Sequence, residues 1–354
     1  MTADRDTTPE LVEQTIRAAE SATPLNIVGG GSKSFLGRLT QAEPLHLGAH
    51  RGIVSYEPTE LVVTARAGTP LVELESVLAE RNQMLGFEPP HFGDTATVGG
   101  TVASGLSGPR RPFAGAARDF VLGIDVLNGR GEVLSFGGQV MKNVAGYDLS
   151  RLMTGAMGTL GVILSVSLKV LPQPRRSVTL AFELDAPGAI ERLARWCATP
   201  LPVSGAYHDE GRLFLRLSGT PLGVEGAVAS LGGELDDDDG RWQRLREHAL
   251  PFFGDGRPLW RVSVPPAAAP PDVPGPTLID WGGALRWLVT EASAGAVREA
   301  ATRAGGHAML FRHGERTGEV YHPLTGPMLA LHRRLKHAFD PQRIFNRGRM
   351  YAEL

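Results

Sequence analysis

Three glycine-rich runs hold the residues of this 354-residue chain whose types and spacing could do chemistry. Gly29-Gly30-Gly31-Ser32-Lys33-Ser34 directly follows an apolar stretch, Leu25 to Val28, that reads as a strand. Glycines at a strand end let successive N–H groups turn outward and cradle phosphate oxygens; a tight strand-to-loop turn would use the same residues. The run is not a nucleotide-triphosphatase loop, which needs four residues between its first glycine and Gly-Lys, and the G-x-G-x-x-G fingerprint fails at Ser34. The second run, Gly99-Gly100-Thr101-Val102-Ala103-Ser104-Gly105-Leu106-Ser107-Gly108, leaves room for a flat ligand against the backbone and adds hydroxyl donors. A close helix–strand crossing is its other reading. In the third, Gly155, Gly158 and Gly161 recur every three residues, a spacing that disfavours a regular helix. Together the runs favour one extended dinucleotide over three unrelated turns.

Other candidates are more ambiguous. Arg110 and Arg111 follow a glycine turn and could grip a carboxylate or phosphate, contact a partner, or simply be solvated. Tyr147 could guide a proton, while Asp148 reads as the cap of a helix over Leu149 to Met153. His307, His313 and His322 are expected to be surface or hydrogen-bonded histidines rather than converging metal ligands, and no metal role is assigned to them or to His46 and His50. The Asp236 to Asp239 run reads as a solvated loop.

The elements that must position these residues begin with a helix opened by Thr8 and Pro9, with Leu11, Val12, Ile16 and Ala19 as its stripe. Leu61 to Ala65 reads as a strand and Leu71, Leu74, Val77 and Leu78 as a helix face. Phe120 to Val126 and Val162 to Val170 alternate as strands with one face buried. Pro172-Gln173-Pro174 marks a boundary, after which Ser177 to about Leu324 reads as a small mixed α/β unit with a proline-rich extended linker or surface loop at 265–276. Pro327 to Phe339 closes the chain as a helix.

Composition narrows the class. Thirty-six Lys and Arg against 38 Asp and Glu, a formal charge of -2, give no global basic field for nucleic acid or an anionic membrane. The single cysteine, Cys197, excludes a disulfide framework, a thiolate zinc site or a cysteine-ligated iron–sulfur cluster within these residues. The polar start MTADRDTTPE lacks the pattern of a signal peptide, and the expected location is cytoplasmic.

GGGSK after a strand, ATVGGTVASGLSGPRRP, RDFVLGIDVLNGRGEV, KNVAGYDLSRLMTGAMGTLGVILSVSLKVLP and the terminal FDPQRIFNRGRM resemble the FAD-linked oxidases of the vanillyl-alcohol oxidase type. The resemblance spans residues 24–174 almost continuously and returns at 329–350. Within that family, GPRRP and KNVAGYDLSRLM are more similar to the smaller FAD-binding subunit of glycolate-oxidising complexes than to the larger catalytic one.

The resemblance implies an α+β fold: a PCMH-type FAD-binding domain of two subdomains (1–174), a smaller α/β cap domain (175–326), and a terminal segment (327–354) returning to the first domain. It implies that Gly29, Gly30, Gly31, Ser32 and Lys33 bind the FAD pyrophosphate, with Gly99, Gly100, Thr101 and Ser104 along the pyrophosphate and flavin. Gly158, Thr159, Gly161, Val162 and Ile163 would flank the adenosine or ribityl portion, and Asn346 would close over the flavin. The family's covalent attachment points, a His in the first loop or a Cys in the second, are missing, so FAD is expected to be noncovalent. The H-G-D-G-N metal segment of 2-hydroxy-acid-oxidising relatives is also missing. The larger FAD subunit is therefore expected to bind the 2-hydroxy acid, an iron–sulfur subunit to take the electrons, and membrane contact to be peripheral, through the complex. The usual terminal Asn-Pro-Gly reads Asn346-Arg347-Gly348, which leaves the closing turn undefined. A stand-alone FAD-dependent dehydrogenase of 2-hydroxy acids or alcohols and a flavin-free scaffold are the rival readings.

Overall fold

The computed structural model describes residues 4–138 and 148–354. The helix Thr8–Ser21 has Pro9 in its first turn and buries Leu11, Thr15 and Ala18, while Ile16 stays 40% exposed, so its inward face lies one position off the expected stripe. Its N-cap position is Thr7 rather than Thr8, whose amide donates to Asp6 Oδ1 at 2.9 Å. Leu25–Val28 pairs in parallel with Glu43–His46 and delivers the chain to the first glycine run.

A five-stranded antiparallel sheet follows, in the order Ile53–Glu57, Val62–Arg66, Val162–Lys169, Val121–Leu127, Val133–Gly137. Val162–Lys169 is its central strand and is buried on both faces, not one. The expected polar face fails because the serines find partners inside: Ser167 Oγ meets Thr64 Oγ1 at 2.8 Å, and Ser165 Oγ donates to Asp125. A satisfied hydroxyl can be buried at little cost. Helices Leu71–Ala79 and Val98–Ser104 pack on this sheet, and Asp148 caps Leu149–Met153 by accepting the amide of Arg151 at 3.2 Å.

After Pro174 the chain builds an eight-stranded antiparallel sheet, ordered Glu234–Asp236, Arg176–Glu183, Arg212–Gly219, Val203–Asp209, Thr277–Asp280, Leu285–Val289, Leu259–Ser263, His307–Arg312. The acidic run is not merely solvated: Asp236 holds Arg241 through two hydrogen bonds and Asp238 pairs with Arg244. Residues of the first region, Phe35, Leu36, Phe92 and Leu106, pack into the same apolar cluster as Trp281, Trp287 and Phe311 of the second. Glu88 ties the two regions by charge, accepting Arg110 Nε at 3.1 Å and Arg216 Nη2 at 2.8 Å.

The last helix, Gly326–Phe339, leads back to the first core, which contains Phe339, Ile344 and Phe345. Buried Lys336 anchors the return: its ammonium donates to Asp340 Oδ2, to Thr159 O and to Phe345 O. Beyond it the chain lies beside Leu25–Val28, with Leu25 N donating to Ile344 O and Asn346 N to Leu25 O. No helix among the described residues is long and apolar enough to cross a membrane.

Candidate functional site

A cleft opens where the first strand, the second glycine run, the third run and the C-terminal segment meet. Its first wall is the loop after Val28. A Cβ on Gly30 would sit 1.4 Å from the carbonyl oxygen of Thr95, and one on Gly29 would lie 2.4 Å from Thr97 Oγ1, so the loop is pressed onto the chain behind it. Gly31 has φ +74°, a left-handed conformation that glycine adopts without strain. Among the described residues, none of the five amides from Gly29 to Lys33 meets an intramolecular acceptor. Consecutive unpaired N–H groups beside a cleft form an anion cradle. Lys33 adds a cation: its ammonium reaches His91 O at 3.2 Å and Ser32 Oγ at 3.4 Å. Burial lowers its pKa to about 8, partly offset by the charge of Glu247.

The second wall is the start of Val98–Ser104. Thr97 accepts the amide of Gly100, and Gly99 fits against Ala67, where an added Cβ would come within 2.5 Å of the alanine methyl. This close packing leaves Gly100, Ala103 and Ser104 along the cleft. The third wall is the loop before the central strand, held by Gly155 N to Val102 O and Met157 N to Ala103 O. Asn346 joins the walls, accepting from Ile27 N at 2.8 Å and donating to Met157 O at 2.6 Å. Its turn, open in the sequence because proline is missing, forms with φ +40° at Asn346 and +74° at Gly348.

The structure thus brings Gly29, Gly30, Gly31, Ser32, Lys33, Gly99, Gly100, Ser104, Gly158, Gly161, Ile163 and Asn346 to one cleft. Three expected residues sit behind the wall instead. Thr101 is buried with its hydroxyl unpartnered, Val162 is wholly in the core, and Thr159 uses its hydroxyl on Ala156 O and its carbonyl on Lys336. Arg110 departs from the open-anion reading because Glu88 already engages its guanidinium, whereas Arg111 lies 4.3 Å from the centroid of the Trp281 ring. Tyr147 lies outside the described residues. His307 and His322 have ring centroids 6.4 Å apart, and His322 Nδ1 accepts from Ala308 N, while His313 is exposed at a turn. His50 is buried, accepting Thr7 N and bonding Leu164 O. Among the described residues no group of three or more His, Cys, Asp and Glu is placed to hold a metal ion. The sequence reading missed Ile27, Leu47, Ala67, Met157 and Arg349, apolar or long side chains that carry no motif.

These residues fit FAD. Three backbone segments line the cleft, its amides and Lys33 suit a pyrophosphate, and Ile27, Leu47 and Ile163 offer apolar contact to aromatic rings. Among the described residues no His or Cys lines it.

Comparison with known proteins agrees. Residues 6–137 match the FAD binding domain family. The chain is 50% identical over 355 aligned positions to the glycolate oxidase subunit GlcE of Escherichia coli, covering 100% of both. It is 31% identical to the D-lactate dehydrogenase of Archaeoglobus fulgidus over 50% of this chain and 41% of that one. It is 33% identical to the glycolate oxidase subunit GlcD of Bacillus subtilis over 36% of this chain and 27% of that one. Among solved structures, alkyldihydroxyacetonephosphate synthase superposes with a TM-score of 0.67 at 15% identity, covering 97% of this chain and 75% of that one.

Fold and cleft define a flavoprotein with a PCMH-type FAD-binding domain. Its oxidoreductase chemistry is FAD-dependent, and the chain belongs to the FAD-linked oxidase family.

Proposed function

We propose that this chain is the FAD-binding subunit of a glycolate dehydrogenase (glycolate oxidase) complex that converts glycolate to glyoxylate and passes the electrons to an iron–sulfur subunit. The observation that carries the reading is the full-length 50% identity to a glycolate oxidase subunit. With Cys197 as the single cysteine of these 354 residues, a cysteine-ligated cluster belongs to a partner. The larger FAD subunit binds glycolate, and this chain serves electron transfer and assembly. Association with the inner face of the membrane is peripheral and comes through the complex.

Residues 1–174 with 327–354 form the FAD-binding unit and 175–326 the cap. Bound FAD supplies a two-electron acceptor. The residues around it bind and orient: the amides of Gly29 to Lys33 hold the pyrophosphate, Gly99, Gly100 and Ser104 leave space along the backbone, and Gly158, Gly161 and Ile163 flank the adenosine or ribityl portion. Asn346 fixes the cleft's width.

Co-expression with the larger FAD subunit and the iron–sulfur subunit, followed by FAD and iron quantification, tests this. A stable assembly in which this chain carries FAD and the partner carries all the iron supports it. Glycolate turnover by the purified single chain with an artificial acceptor would instead make it a stand-alone dehydrogenase. A colourless chain that gains no flavin absorbance on FAD addition would make it a scaffold.

A further inference from the structure

A carboxylate from the second region reaches the segment that backs the first glycine loop. Glu247 stands at the C-terminal end of the helix Arg241–Arg246, and its side chain crosses to the first region. One of its oxygens accepts two successive backbone amides, His91 N at 3.1 Å and Phe92 N at 2.8 Å, while Arg246 Nε donates to the other at 2.7 Å. Phe92 holds φ +53°, a left-handed conformation that a bulky side chain adopts only under constraint. The constraint is visible: Glu247 takes its amide, and its ring centroid lies 5.3 Å from that of Phe35 and 5.1 Å from that of His248.

The segment held in this way bears directly on the loop. His91 O accepts the ammonium of Lys33 at 3.2 Å, and farther along Thr95 and Thr97 lie against Gly30 and Gly29. The helix Leu71–Ala79 adds a second hold, with Glu75 Oε2 2.9 Å from His91 Nε2. Beyond the loop, Arg316 of the second region and Arg349 of the terminal segment both donate to Ser34 O, at 2.9 and 2.8 Å. Arg312, on the strand His307–Arg312, lies 4.1 Å from the centroid of the Phe35 ring and is itself reached by the charge of Glu247. Among these charges, that of Glu247 favours the protonated form of Lys33 against the burial that opposes it.

We propose that Glu247 is a positioning residue for the cofactor, a carboxylate of the second region that fixes residues 91–92 and, through the His91 carbonyl, aims the Lys33 ammonium into the cleft. This role, which rests on Gly29 to Lys33 being the pyrophosphate cradle, makes the grip on FAD depend on how the second region is seated. It also divides the work on one cation: the first region supplies the ammonium, and the second supplies the charge that keeps it protonated.

The test is titration of the FAD-free chain with FAD, followed by flavin fluorescence from pH 6 to 9.5, for wild type, Glu247→Gln, Lys33→Met and the double variant. Glutamine keeps the shape of the side chain and removes its charge. Wild-type affinity is expected to fall above pH about 8. In Glu247→Gln the fall should begin about half a pH unit lower or more, so that the ratio of wild-type to variant affinity grows about threefold or more between pH 6 and pH 9. A merely structural loss would weaken binding by one factor at every pH. Lys33→Met should bind FAD more weakly with a flat profile, and adding Glu247→Gln to it should leave the profile flat. Glu247→Asp, whose carboxylate is drawn back by one methylene, should give a profile between wild type and Glu247→Gln, and it carries the test alone if Glu247→Gln fails to fold. An affinity ratio constant with pH for Glu247→Gln, or a Glu247→Asp profile superposing on wild type, would overturn the role of Glu247 while leaving the cradle intact. Unchanged FAD affinity in Lys33→Met would instead overturn the cradle, and the role of Glu247 with it.

Discussion

Asn346 Oδ1 accepts the backbone amide of Ile27 at 2.8 Å, across 319 residues of sequence. The same side chain donates to Met157 O, so one amide clamps three distant segments along the cleft. Replacing it with alanine strands two backbone groups at the cleft wall. Asn346→Ala is expected to lower stability by about 1–3 kcal/mol and to reduce the FAD retained through purification. Urea unfolding and the ratio of flavin to protein absorbance measure the two effects; full FAD occupancy in the variant would refute the clamp.

Adjacent glycines in the first loop should fail for different reasons. Gly30→Ala drives a methyl into the carbonyl of Thr95, so the loop must move and FAD affinity should drop at least tenfold. Gly31→Ala meets no atom but must hold a left-handed backbone, which costs about 1 kcal/mol. Its FAD affinity should stay within a few-fold of wild type. Equal damage from both would mean that steric contact with Thr95 does not govern the loop.

Lys33 gives the cleft a pH signature. Its pKa in the fold is lowered to about 8 from an ordinary 10.5, so between those values the unfolded chain holds a proton that the folded one does not. Stability of the FAD-free chain should therefore rise as pH increases from about 8 to 10.5 through this group. FAD binding should show the opposite trend, because a pyrophosphate favours the charged lysine: affinity falls above pH 8, with proton uptake on binding. Calorimetry in two buffers of different ionisation enthalpy reads that proton. Lys33→Met should remove both dependences, and a wild-type affinity flat from pH 7 to 10 would exclude Lys33 from the anion site.

The Lys336–Asp340 pair is almost wholly buried, at 2.8 Å. Either single removal, Lys336→Met or Asp340→Asn, strands a partner in the core and should cost about 3–5 kcal/mol. The double variant Lys336→Met/Asp340→Asn should cost less than the two singles added together, because no lone charge remains. Chemical denaturation of the four proteins closes the cycle; strict additivity would show that the pair acts as two independent groups.

What the sequence made legible was set by steric need. Glycine is the residue that fits where Gly30 touches Thr95 or where Gly99 touches Ala67, and such constraints leave a mark on composition. Contacts made by ordinary side chains leave none: Ile27 and Leu47 line the cleft yet read as any core residue. Arg110 and Arg111 look equivalent in the chain, and only the position of Glu88, 22 residues earlier, decides which one is neutralised. The serines of Val162–Lys169 imply a wet face until Thr64 and Asp125, distant in sequence, are found beside them. The hydroxyls of Thr101 and Thr159 are buried, one on a helix and the other donating to Ala156 O, a direction that the spacing of the glycines does not encode.

The residue that completes the cleft is number 346, and its two clamp partners are residues 27 and 157. During synthesis the first strand and the glycine loops leave the ribosome hundreds of residues before the piece that holds them apart at the right width. A nascent chain can build the five-stranded sheet early, but it presents only an unfinished binding surface until the segment around Asn346 threads back beside Leu25. Cofactor capture is therefore expected to wait until Asn346 has emerged, and a ribosome stalled shortly before that segment should carry a folded but colourless chain.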